Sequence, residues 1–133
     1  MTIPVSLIDE STASGARRTF TLDFLDERVT VRELLRRRVY EEVTEYNARE
    51  PEVFHGLVQP TDAERTLNGS RLRTRRKLDW EAQYTLALDA FARLGFVILV
   101  DDRQVDDLDE VVHLRLDRPT EVTFLKLVPL VGG

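Results

Sequence analysis

The sequence contains no cysteine among its 133 residues. It therefore has no disulfide, no thiolate metal ligand and no cysteine nucleophile, a composition that suits a reducing cytoplasm. No apolar run approaches the roughly 18 residues needed to cross a bilayer, and the amino-terminal MTIPVSLIDE lacks the pattern of a signal peptide. We therefore expect a cytoplasmic protein that is neither secreted nor inserted in a membrane.

Positive charge is also in short supply. The 24 acidic residues outnumber 19 basic ones, of which only Lys77 and Lys126 are lysine, and the net charge is -5. The chain as a whole is repelled by nucleic acid, so no nucleic-acid partner is expected. Its 42% hydrophobic and 32% charged residues are typical of a globular protein, and its length suits one domain over residues 1–133.

Apolar periodicity predicts a hairpin followed by a helix. Residues 3–7 alternate apolar and polar, and residues 19–24 repeat the pattern after a polar loop. Residues 30–33, Thr-Val-Arg-Glu, form a capping box, and Pro51 closes the helix that this box begins. The apolar stripe of that helix consists of Val31, Leu34, Leu35, Val39, Val43 and Tyr46.

Residues 52–77 fit neither period, and we interpret them as an excursion with a helical turn or two and an Asn-Gly turn at 68–69. Asp79 is the expected N-cap of a second helix, and Gly95 is expected to end it in the left-handed conformation. The apolar side of this helix, interpreted as core, comprises Trp80, Tyr84, Leu88, Phe91 and Leu94.

The last third is again extended. FVILV at 96–100 predicts a strand that turns at Asp101-Asp102 into residues 103–105, and TEVTFLKLV at 120–128 predicts the last strand. Residues 111–116 are either a short strand or an irregular edge. This order favours an α+β fold of the β-grasp type, with the last strand beside the first and parallel to it. A helical insert, at about 50–95, separates the first helix from the third main strand.

Two segments carry a family resemblance. FVILVDDRQVDDLDE resembles the part of ubiquitin-like proteins where an apolar strand, a polar turn, a basic-Gln-aliphatic tripeptide and an acidic-leucine corner follow one another. TEVTFLKLVPLVGG is similar to their last strand and diglycine tail. Ubiquitin itself has no second long helix where residues 50–95 stand. The closest likeness is to bacterial ubiquitin-like proteins encoded beside their own activating, conjugating and deconjugating enzymes, whose usual company implies a role in antiphage defence.

The resemblance implies that this chain is a substrate and not an enzyme, with no bound cofactor. An activating enzyme would adenylate the Gly133 carboxylate with ATP, and conjugation to a target protein would follow through an enzyme thioester. Gly132 and Gly133 suit a narrow enzyme channel because glycine has no Cβ. In the flexible tail expected at 129–133, Pro129 favours extended backbone, whereas Leu130 and Val131 stand where the family usually has arginine. The partners implied are a dedicated activating enzyme with an apolar groove, a conjugating enzyme and a deconjugating protease.

Leu125 and Leu127 share one face of the last strand, opposite Phe124 and Val128. This face is either a partner surface or is covered by the inserted helix, and the sequence leaves both open. Two functional alternatives also stay open. The protein is a sulfur carrier if the same tail becomes a thiocarboxylate, and a noncovalent interaction module if Gly132 and Gly133 are incidental.

Other signals are interpreted as structural. The basic residues between Arg71 and Lys77 are expected to be a solvated loop, since no aromatic residue is interleaved with them. His55 and His113 have no second ligand at metal spacing. The aspartates from 101 to 109 lack the glycine and distal glutamate of a calcium loop, so no metal site is predicted.

Overall fold

The protein is an α+β structure in a computed structural model that describes residues 1–12, 15, 17–66 and 69–127. The chain divides into two compact units. We call Met1–Leu34 with Leu94–Gly133 the sheet unit, and Leu35–Arg93 the hairpin unit. The described elements are β1 (Ile3–Ser11), β2 (Arg17–Phe24), β3 (Arg28–Thr30), α1 (Val31–Arg49), β4 (Ala63–Arg65), β5 (Ser70–Leu72), α2 (Trp80–Ala92), β6 (Phe96–Val100), β7 (Arg103–Val105), β8 (Val111–His113) and β9 (Thr120–Lys126).

The sheet unit is built on a five-stranded mixed sheet in the order β2-β1-β9-β6-β7. β1 pairs antiparallel with β2 and parallel with β9, while β6 pairs antiparallel with β9 and with β7. The prediction that the last strand lies parallel to the first is confirmed. The alternation predicted for residues 3–7 also holds, because Ile3, Val5 and Leu7 are buried whereas Pro4 is exposed and Ser6 is half-buried.

A second, two-stranded sheet in the same unit pairs β3 with β8. Residues 111–113 are thus a short strand, which the sequence left undecided. The capping box is confirmed at the start of α1, where the Thr30 hydroxyl accepts the N–H of Glu33 at 3.1 Å. The Val31 N–H donates to the Glu110 carbonyl oxygen at 3.0 Å, so a neighbouring loop satisfies another free amide of the helix start.

The hairpin unit overturns one prediction. The described residues between 52 and 77 contain no helical turn, and β4 pairs with β5 instead. Phe54 and Ser70 exchange backbone hydrogen bonds of 2.7 and 2.8 Å beside this hairpin. A Cβ on Gly69 would lie 2.4 Å from the Phe54 carbonyl oxygen, so the glycine allows the close approach of two backbones. Cross-strand pairing therefore satisfies amides that a helical turn was expected to satisfy.

α2 begins as predicted, since the Asp79 carboxylate accepts the N–H of Glu81 at 3.1 Å. Its predicted end is wrong in one respect. Leu94, with φ 61°, takes the left-handed conformation that we expected of Gly95. Gly95 leads directly into β6, and its carbonyl oxygen accepts a hydrogen bond from Leu127. The left-handed turn is therefore completed one residue earlier.

The aromatic stripe of α2 is less buried than its interpretation as core requires. Trp80, Tyr84 and Phe91 are half-buried, whereas Gln83 and Ala87 are the buried residues of the helix. The Trp80 ring packs edge-on against Tyr40 at a centroid distance of 5.4 Å, within the hairpin unit. The stripe is thus a partly exposed aromatic surface next to the buried line of the helix.

Candidate functional site at the end of the last strand

The carboxyl end of β9 is held by neighbours on both sides. Lys126, its last residue, pairs with Ser11 of β1 and with Phe96 of β6. The Lys126 carbonyl oxygen also accepts the N–H of Thr12 at 3.1 Å, and the Thr12 hydroxyl donates to the same oxygen at 3.4 Å. The strand therefore stays hydrogen-bonded within the sheet to its final residue.

Leu127 is the last described residue and extends this pairing. Its N–H donates to the Gly95 carbonyl oxygen at 3.0 Å, one residue beyond the end of β9. The Leu127 residue is 36% exposed, and Leu125 is half-buried. Both side chains of the predicted partner surface are thus partly open to solvent, and binding of a partner there stays a prediction.

The predicted conjugation and recognition residues lie outside the described residues: Gly132 and Gly133, with Pro129, Leu130 and Val131. The structure describes the end of β9 and Leu127, which precede these residues in the chain. Lys126, the last residue of β9, has β1 on one side and β6 on the other, and the described chain stops one residue later at Leu127. The segment that begins at residue 128 therefore starts from a central strand of the sheet and not from an outer one.

In the acidic turn after β6, the Asp101 carboxylate accepts hydrogen bonds from other residues of the sheet unit. Asp101 and Asp102 have φ of 47° and 70°, a conformation that aspartate tolerates in tight hairpin turns. The Asp101 carboxylate accepts from Arg115 Nε and from the Glu121 N–H, both at 3.1 Å. Among the described residues, no group of three or more His, Cys, Asp or Glu side chains is placed to hold a metal ion.

A second charged contact joins β7 to the loop before β8. Arg103 forms a bidentate ion pair with Glu110, in which each carboxylate oxygen accepts one guanidinium N–H. The hydrogen bond from Arg103 lowers the pKa of the Glu110 carboxyl, and the same bond raises the pKa of the Arg103 guanidinium. Because the Glu110 carbonyl oxygen accepts the Val31 N–H, this ion pair also braces the loop that caps α1.

The two histidines and the basic run lie in different parts of the chain. His55 lies exposed in the hairpin unit, and His113 lies exposed at the end of β8. The basic run is exposed, as expected of a solvated segment, but two of its side chains are tied to carbonyl oxygens: Arg76 to Thr61 and Lys77 to Asn47. A cleft lined by Arg71 and Arg75 of this run was not predicted from the sequence, since most of its other lining residues lie between positions 46 and 52, far away in the chain.

No family model, curated protein or solved structure matches this chain. Across the described part of the chain, neither helix is long and apolar enough to pass through a membrane.

Proposed function

We propose that this chain is a ubiquitin-like modifier, activated at the carboxylate of Gly133 and conjugated to target proteins by separate enzymes. The observation that supports it best is the position of β9. This strand pairs with β1 and β6, and hydrogen bonds hold it as far as Leu127. A short terminal segment that starts from such a braced central strand can be presented to another protein's active site without opening the sheet.

The strand order gives a second line of support. Two hairpins, β1-β2 and β6-β7, lie on either side of β9, and the only parallel pairing among the described strands of the large sheet is β1 with β9. A helix follows the first hairpin along the chain. These features are those expected of the β-grasp fold, which we propose for the sheet unit together with α1, with residues from about 50 to 95 as the insert.

The proposed chemistry needs a free carboxylate at Gly133, either as the natural terminus or after cleavage of following residues. That carboxylate attacks the α-phosphorus of ATP and releases pyrophosphate. An enzyme thiolate then displaces AMP from the acyl adenylate to form a thioester, and a nucleophile on the target displaces the thiol. Gly132 and Gly133 suit this route because their lack of Cβ lets an enzyme close tightly around the tail.

Recognition would come from the remaining tail residues and from the adjoining surface. Pro129 has no N–H to continue strand pairing, and Leu130 and Val131 offer apolar side chains to a dedicated groove on the activating enzyme. Leu125 and Leu127, partly exposed at the base of the tail, would extend the same apolar contact.

The test is mass spectrometry of an amino-terminally tagged chain expressed in its native host and purified under denaturing conditions. No Lys or Arg follows Lys126, so trypsin leaves the seven residues Leu127–Gly133, LVPLVGG, on the acceptor side chain. We expect target peptides branched with this remnant. They should disappear when Gly132 and Gly133 are deleted, and persist in the matched surface variant Arg118→Gln.

Other outcomes count against the proposal. A tail that carries one sulfur in place of a carboxylate oxygen, with no branched peptides, identifies a sulfur carrier. If no covalent adduct exists and, in a parallel purification under native conditions, deletion of Gly132 and Gly133 leaves every captured partner unchanged, the chain is a noncovalent interaction module.

A further inference from the structure

A cleft of about 240 Å³ opens in the hairpin unit, and the tail chemistry gives it no role. It is bounded by the end of α1, the residues after that helix, β5 and the segment that follows β5. Ligand sites are usually concave and mostly apolar, whereas this cleft is small and lined mainly by polar and charged residues, which suits a small charged ligand. The lining residues are Tyr46, Pro51, Glu52, Arg71, Leu72 and Arg75.

The hydroxyl of Tyr46 has no hydrogen-bond partner among the described residues. The residue is only 7% exposed, and its ring packs edge-on against Phe54 at 5.2 Å. No hydrogen bond from its hydroxyl occurs within the described residues, where every fully enclosed side-chain oxygen has a partner. The hydroxyl must therefore reach solvent, and the cleft is the opening that Tyr46 lines.

Arg71 and Arg75 both line this cleft. Neither side chain has an ion pair or hydrogen bond within the described part of the chain. Nearby Arg76, by contrast, donates to the Thr61 carbonyl oxygen, and Lys77 donates to that of Asn47 at 3.3 Å. Within the described part of the chain, the side chains of Arg71, Arg73 and Arg75 have no ion pair or hydrogen bond, and of these three Arg71 and Arg75 line the cleft.

We propose that this cleft binds a phosphate monoester. Two guanidinium forks and the Tyr46 hydroxyl are three donor groups, which match the three terminal oxygens of a monoester phosphate better than the two oxygens of a carboxylate. Pro51 and Leu72 then contact the apolar part of the ester. Glu52 leaves the cleft with one net positive charge, which favours an anion but limits its affinity. This site lies wholly in the hairpin unit and does not depend on the modifier proposal.

The probe is phenyl phosphate, titrated into the intact protein at low salt and followed by backbone amide NMR shifts. We expect saturable binding that shifts residues around the cleft. Arg71→Gln and Arg75→Gln should each weaken binding about tenfold, because each removes a charged bidentate donor. Tyr46→Phe should weaken it about threefold, and Glu52→Gln should strengthen it.

Arg73→Gln is the matched control. Arg73 is exposed in the same basic run and its loss changes the net charge equally, but it does not line the cleft. The proposal is supported if Arg73→Gln binds within about twofold of the unaltered protein. It is overturned if this control weakens binding as much as Arg71→Gln, if phenyl phosphate shows no saturable binding, or if benzoate binds equally well.

The source of the phosphate is decided by two further titrations, with a phosphoserine peptide and with AMP. Tighter binding of the peptide than of phenyl phosphate identifies a phosphorylated protein as the ligand. Tighter binding of AMP identifies a nucleotide. Arg71 and Arg75 are exposed, so their variants should keep the unaltered urea midpoint, and a lost signal can then be assigned to the site.

Discussion

The Leu127 amide donates a hydrogen bond to the Gly95 carbonyl oxygen at 3.0 Å, and this bond joins the residue after β9 to the residue before β6. It places the end of the described chain against the start of a strand that belongs to the same sheet. The bond extends the pairing of β9 with β6 by one residue, to the last residue that the structure describes.

Replacing Leu127 by proline removes this bond. We expect Leu127→Pro to lower the free energy of unfolding by about 1–3 kcal/mol, since the Gly95 carbonyl oxygen loses its donor and the proline ring restrains the preceding residue. Leu127→Ala keeps the amide and should cost less than about 1 kcal/mol, because the side chain is already partly exposed. Urea denaturation followed by circular dichroism compares them. Equal midpoints for the two variants would show that the bond contributes nothing.

Arg38 and Glu42 form a buried ion pair one turn apart on α1, with side-chain exposures of 1% and 8%. Glu42 Oε2 also accepts the Leu57 N–H at 3.1 Å. We expect Arg38→Ala to lower the free energy of unfolding by about 3–5 kcal/mol, because it leaves a buried carboxylate without its cation. In urea denaturation, the double variant Arg38→Ala/Glu42→Gln should be more stable than Arg38→Ala, since the amide oxygen still accepts from Leu57 without a buried charge.

The matched control is Arg37→Ala. Its pair with Glu41 lies on the same helix at the same spacing, but with exposures of 25% and 39%. We expect a change of at most about 1 kcal/mol there. A loss for Arg37→Ala as large as that for Arg38→Ala would contradict the role assigned to burial.

Asn47 holds the segment that enters α2. Its side chain donates to the Leu78 carbonyl oxygen and accepts the Leu78 N–H, both at 2.8 Å. We expect Asn47→Ala to lower the free energy of unfolding by about 1–3 kcal/mol and to speed tryptic cleavage in the basic run before Leu78. Glu45→Ala, which removes an exposed ion pair with Arg49, should leave both measurements near their original values. Unchanged cleavage in Asn47→Ala would show that other contacts hold the segment.

The Arg103–Glu110 pair predicts a pH dependence. In the folded protein, the pKa of Glu110 lies below the ordinary glutamate value. The pair therefore stabilises the fold fully when the pH is above the ordinary glutamate pKa, and this stabilisation is lost as the pH falls through the lowered pKa of Glu110. We expect Arg103→Gln to raise the pKa of Glu110 in an NMR carboxyl titration. The stability difference from the unaltered protein should be larger at neutral pH than in acid. Arg118→Gln, an exposed arginine of the same unit, is the control. An unmoved Glu110 titration in Arg103→Gln would contradict the pairing.

Several elements were predictable because their signals are local. The Thr30 capping box and the Asp79 N-cap involve atoms two or three residues apart, and both bonds are present. Alternation in β1 and β9 was visible for the same reason. The hairpin β4–β5 was missed because each strand has only three residues, too few for an apolar alternation to show, and because the Phe54 backbone that pairs beside it at Ser70 comes from a distant part of the chain.

The amino-acid sequence by itself determined most strands of the large sheet, the N-caps of the two helices and the buried stripe of α1, because side-chain period and capping chemistry act over a few residues. Only the tertiary structure decided that β9 is held on both sides, that Arg38 and Glu42 are buried, and that Tyr46 meets Arg71 and Arg75 at one cleft. These relations join residues that are distant in the chain or depend on burial, and both are properties of the packed chain as a whole.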